Sequence, residues 1–299
     1  MTTVGQSDLL PDQKVWKAIG LFLGLTALFS LPAYYMAIEL ARHTYYYVFM
    51  MWMPGLAALA TCKIMGLSIN SLGWKLGDAK WSWRSYFLPV LYVSIAYFIA
   101  YSFEFIKPSG SGTLTYLQDR FGLVGWSAEL SIAFFIFILL TVVFVRTLAH
   151  TLGEEIGWRG FLVPQLMRKF GFAMTSLISG LIWALWHFPV LLYGNYANEN
   201  LCLCFDNSRI WAYISMLVFI SFPLTFYRLK SGSLWPSVIF HAMHNVMVYH
   251  LFESMTKTTK SGKIWVGEFG WLLPLITGVI ALYFIKRAKE ENFDQKLGS

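Results

Sequence analysis

Apolar runs long enough to cross a bilayer recur along the chain, separated by short polar links that hold most of its charge. A hydrocarbon core takes about 20 helical residues to span. On that length the pattern predicts eight spans, at 16–38, 44–62, 86–106, 128–145, 174–193, 210–227, 234–252 and 270–285. Residues 1–14 read as a polar tail, and Pro54-Gly55 in the second run predicts a kink of the kind neighbouring helices tolerate. Residues 108–113, Pro-Ser-Gly-Ser-Gly-Thr, predict a loop, and the partly amphipathic 114–125 a short helix along the membrane interface. The fourth run stays helical after its hydrocarbon character ends, passing through His150, Glu154, Glu155 and Arg159 to about Arg168. An Asn-rich link at 195–207 separates the fifth and sixth runs. Three regions follow: 1–127 with three spans and a loop, a core at 128–252 that concentrates the buried ionisable groups, and 253–299 with the last span and a basic tail.

Composition fixes the class. The chain is 57% hydrophobic and 13% charged, whereas soluble domains carry about 25% charged residues. The fold class is therefore all-α, a polytopic helix bundle whose solvent is lipid. The formal charge of +7 is no nucleic-acid signal here; Lys and Arg positions report orientation instead. With eight spans, the basic link 63–84, Arg168-Lys169, Arg228 with Lys230, and the 286–289 cluster share one face, which becomes the cytoplasmic one and holds both termini. Lys257, Lys260 and Lys263 lie on the other. Cys62, Cys202 and Cys204 make neither a disulfide framework nor a zinc set. The first run is long enough to be a span rather than a cleaved signal.

Ionisable side chains at bilayer depth cost about 2.5–3.5 kcal/mol each and default to a functional reading. Three clusters stand out. Glu155 and Arg159 are four apart and pair on one helix face. Glu154, rotated by about 100°, is left for chemistry; the alternative is a membrane-surface turn with a salt bridge. His187 follows Trp183 by four residues and is either a packing residue or a catalyst. His241 and Asn245 share a stripe that His244 nearly joins, and a hydrogen-bonded helix seam is the plainer account of it. A carboxylate and a histidine converging on one water make a general base, and a second histidine with an amide supplies donors for an oxyanion. Glu154, His187 and His241 would equally serve as zinc ligands. His-Glu-x-x-His, Gly-x-Ser-x-Gly and Gly-x-x-x-x-Gly-Lys-Ser/Thr are all missing, which removes the zinc-protease helix, the nucleophile elbow and the nucleotide cradle.

Glu154-Glu155-x-x-x-Arg159, Trp183-x-x-x-His187 and His241-x-x-x-Asn245, in this order on separate apolar segments, resemble the CAAX-processing and bacteriocin-processing (CPBP, or ABI) family of intramembrane proteases. The resemblance covers about residues 130–250. Residues 185–189, Leu-Trp-His-Phe-Pro, and 233–237, Ser-Leu-Trp-Pro-Ser, are similar to prokaryotic members. It implies that Glu154 activates water with His187, that His241 and Asn245 stabilise the oxyanion, and that Glu155 and Arg159 support the site. Trp183 stands where the family usually has Phe, a change read as conservative at a packing position. The implied substrate is a membrane-associated protein or peptide, of CAAX or bacteriocin type, cleaved in a cavity open to the cytoplasm or the lipid of a prokaryotic plasma membrane. No cofactor is favoured, with zinc the alternative, since members of the family were first called metalloproteases. Rival readings are a non-catalytic immunity or partner-binding membrane protein and a transporter with a Glu154–His187–His241 relay.

Overall fold

In the computed structural model, which describes residues 12–40, 45–194 and 208–294, every apolar run is helical. α1 is Asp12–Glu39. The second run is two helices, α2 (Tyr45–Met51) and α3 (Met53–Met65), broken at Trp52 just before Pro54. Proline has no N–H for the preceding turn, so the interruption falls where the Pro-Gly pair predicts a kink. α4 (Ala79–Ser102) starts at Asp78, whose side chain caps the helix by accepting from the Lys80 amide at 2.9 Å. α5 is Gly110–Phe121. α6 (Ala128–Met167) is one continuous helix of 40 residues, about 60 Å at 1.5 Å per residue. It joins the fourth apolar run to the acidic motif in a single rod.

α7 is Phe172–Tyr193 and α8 Ser208–Ser231. α9 opens as Trp235–Asn245, continues through the π-helical Val246–Phe252, and ends with Glu253–Met255. α10 is Leu272–Glu290. The chain is thus a polytopic all-α bundle. Among the described residues six helices are long and apolar enough to cross a membrane by length and composition. α9 and α10 occupy the places predicted for the seventh and eighth spans but are more polar. α9 carries His241, His244, Asn245 and His250, and α10 ends in Lys286, Arg287 and Lys289. The Asn-rich link with Cys202 and Cys204, and most of the N-terminal tail, lie outside the described residues.

α8 is the central helix: 78% of its apolar window is buried inside the protein, against 17% for α6, whose first half faces outward. α7 and α10 pack on α8, α1 on α3, and α9 on both α4 and α6. One feature departs from the predicted loop at 108–113. Ile106–Pro108 (β1) pairs antiparallel with Thr256–Thr258 (β2), Lys107 opposite Lys257, and α5 begins already at Gly110. Strands of three residues are too short to show a period of two, so nothing in the pattern announces them. The ribbon fastens the connection after α4 to the one after α9.

Candidate active site

Glycines set the depth of the acidic motif. A methyl group on Gly153 would lie 2.6 Å from the Trp52 Cα, and one on Gly157 would lie 2.6 Å from the Pro54 Cβ. Gly55 in turn leaves room for the Gly153 carbonyl oxygen. The break between α2 and α3 and the small-x-x-x-small face of α6 therefore fit each other at backbone contact, a packing mode common between helices in lipid. Phe22 of α1 closes the far side, edge-on to Trp158. Directly after Glu155 the helix widens into a π turn, Ile156–Leu162, in which Val163 donates to the Trp158 carbonyl. Such turns recur at functional sites. Pro164 has no N–H to offer the Arg159 carbonyl, and that carbonyl accepts from Arg228 Nε at 3.0 Å.

The motif side chains divide between two environments. Glu155 Oε1 accepts from Arg159 Nη1 at 3.1 Å and meets His241 Nδ1 at 2.9 Å. Arg159 Nη2 donates to Ser221 Oγ at 2.8 Å, and the guanidinium lies 4.4 Å from the Trp183 ring centre. Glu154 points elsewhere: its Oε2 accepts from Trp183 Nε1 at 2.6 Å. His187 Nδ1 sits 2.9 Å from the Trp183 carbonyl oxygen. A carbonyl only accepts, so Nδ1 carries the proton and Nε2 is the basic nitrogen. The same logic puts a proton on His241 Nδ1, facing a carboxylate; its Nε2 is then a donor only in the imidazolium form.

A cavity of about 380 Å³ brings together Glu154, His187, His241, His244 and Asn245. Glu155 and Arg159 stand behind it, fully buried. The six residues singled out from the sequence thus fall in one place, four on the wall and two behind it. Trp183 has more than the packing role the sequence suggests, because its indole N–H and its carbonyl hold Glu154 and His187. Tyr213, Tyr249 and Glu268 also line the cavity. None of them carries a motif or a sequence spacing to reveal it. Glu268 comes from the connection 256–271, and burial, with Glu253 and Glu154 nearby, pushes its carboxyl up to about 8 despite the Tyr249 hydroxyl beside it.

The cavity's lining extends from Glu154 to Tyr47 at the start of α2, Tyr213 at the start of α8, and His250 near the end of α9. Those termini lie at the end of the bundle opposite the basic links, not at the basic end. As for a metal, among the described residues no three His, Cys, Asp or Glu side chains gather as a ligand set.

Residues 131–247 match the family model for type II CAAX prenyl endopeptidases, Rce1-like. This segment is similar to the Rce1-like family. It begins near the start of α6 and ends in α9, and so encloses all three polar clusters. The CAAX prenyl protease 2 of Methanococcus maripaludis is 30% identical over 161 residues, 52% of this chain and 53% of its own. The uncharacterized protein YyaK of Bacillus subtilis is 28% identical over 166 residues, 52% of this chain and 51% of its own. The chain spans about half the length of these curated relatives.

Proposed function

We propose that the chain is an intramembrane endopeptidase that hydrolyses a peptide bond of a membrane-associated protein, of CAAX type or a related peptide, using water activated by Glu154 and His187. The observation that carries this reading is the cavity in which Glu154, held by Trp183, shares a wall with His187, His241 and Asn245. The similarity to the Rce1-like family over the same residues supports the reaction class.

In this reading Glu154 takes a proton from the water while His187 Nε2 accepts its second O–H. The water oxygen attacks the scissile carbonyl carbon, and the carbonyl π electrons move onto oxygen. Asn245 donates to that oxyanion through its amide, and His241 through Nε2–H as an imidazolium countered by Glu155. Preorganised donors of this kind are worth about 3–4 kcal/mol each. Collapse expels the amine, which takes the proton back from Glu154. No step passes through a metal.

The test uses the full chain in lipid nanodiscs with a prenylated CAAX peptide and an unprenylated one. Wild type should release the tail tripeptide, at a rate unchanged by a zinc chelator. Glu154→Gln keeps an oxygen for the Trp183 indole, so it should fold as wild type and lose activity by about 10³-fold or more, the scale of a lost general base plus orientation. Equal rates for wild type and Glu154→Gln would refute the assignment. Chelator-sensitive hydrolysis would refute the metal-free mechanism.

A further inference from the structure

A second cavity lies on the outside of the bundle at its basic end, remote in chain position from the candidate active site. It is a groove of about 870 Å³ with walls from α4 and α10 and a floor from Phe226 and Tyr227 of α8. Trp81, Arg84, Leu88 and Leu91 supply the α4 wall at steps of three and four, one face of a helix. Val279, Tyr283 and Arg287 supply the α10 wall at four-residue steps. α4 begins at the basic link and α10 ends at that same face, so both arginines stand at one end of the groove. From Arg84 to Leu91 the wall then descends about 10 Å into the membrane.

The two ends differ in chemistry. Leu91 and Val279 are 59% and 68% exposed and face the hydrocarbon. Arg84 is exposed, with its guanidinium 4.9 Å from the Trp81 ring centre. Among the described residues no carboxylate lies within ion-pair distance of it; Asp78 pairs with Lys80 at 2.8 Å and reaches Arg84 only at longer range. Arg287 is shared with Glu290 at 2.7 Å and Glu291 at 3.6 Å. The mouth therefore has an unneutralised cation, flanked by the aromatic rings typical of the headgroup level, above an apolar slot.

We propose that this groove is a binding site for an anionic phospholipid, its phosphate at Arg84 and Arg287 and one acyl chain along Leu88, Leu91 and Val279. The apolar walls open to lipid, so the occupant comes from the bilayer rather than from water. A zwitterionic lipid brings its own cation to Arg84 and gains less. Basic pockets between helices at the cytoplasmic face bind anionic headgroups by the same physics.

The test is lipid retention by the detergent-purified full chain, read by native mass spectrometry after reconstitution with equal phosphatidylglycerol and phosphatidylcholine. Wild type should retain phosphatidylglycerol in preference. Arg84→Gln should cut that preference about fivefold, Arg287→Gln less, and Lys263→Gln at the opposite end not at all. Leu91→Trp fills the slot and should reduce retention with both arginines intact. Circular dichroism and gel filtration establish that each variant is folded. Equal retention of the two lipids by wild type, or an unchanged preference in the Arg84→Gln/Arg287→Gln double variant, would overturn the site. Full retention in Leu91→Trp would overturn the groove, and displacement by inorganic phosphate would make it a phosphate site rather than a lipid one.

Discussion

A single carboxylate oxygen, Glu155 Oε1, receives both Arg159 and His241 in a region without solvent. Breaking a buried pair by removing one partner leaves an uncompensated charge, at about 3–5 kcal/mol. Arg159→Ala should therefore lower the yield of folded protein and its unfolding temperature; normal yield of an inactive Arg159→Ala would show instead that its role is chemical. Trp183→Phe restores the residue usual in the resembled family and keeps the ring, but deletes the donor to Glu154. A hydrogen bond to a charged group is worth about 1.5–3 kcal/mol, so catalysis should fall by at least about tenfold with folding retained. Unchanged kinetics would make the indole contact incidental. The Glu155–Arg159 pair was legible because four residues on a helix is a fixed geometry. The Glu155–His241 contact spans 86 positions and the Trp183–Glu154 contact 29; neither has a local signature.

At the scale of elements, α6 is placed by its glycines and widened directly after Glu155 by a π turn. Gly157→Ala would drive a methyl into Pro54, and overpacking of this kind costs about 1–3 kcal/mol. Its unfolding temperature should drop, while Gly20→Ala, with nothing within 4 Å of the added carbon, should hold or raise it, since alanine is the better helix former. If both variants melt alike, the backbone contact between α6 and α3 is not what fixes the motif. Apolar run length and the Pro-Gly break were readable because they follow from bilayer thickness and from proline's missing N–H. The π turns were not, since an i→i+5 register leaves the side-chain pattern helical. Arg228 read as an orientation marker, yet it lies buried and fills the hydrogen bond that Pro164 cannot supply.

For the whole molecule, alternating spans put the links around residues 66–78, 168–171 and 232–234 at one end, and the ribbon and 256–271 at the other. We propose, on the positive-inside rule, that the first end is cytoplasmic and the candidate cavity faces the other side of the membrane. With the native cysteines replaced, an impermeant maleimide applied to intact cells should label Lys260→Cys and spare Lys75→Cys. The reverse pattern would place the cavity toward the cytoplasm and overturn this orientation. Lipid-embedded all-α architecture was legible from composition alone; the ribbon and the cavity's direction depend on how helices stack, which no single segment encodes.

Whether Glu154 drives peptide hydrolysis is read from new peptide termini in host membranes containing wild type or Glu154→Gln at equal expression. Termini in membrane-associated proteins should occur with wild type and vanish with Glu154→Gln. Indistinguishable termini, together with a wild-type phenotype that Glu154→Gln retains, would contradict it and make the chain a partner-binding protein.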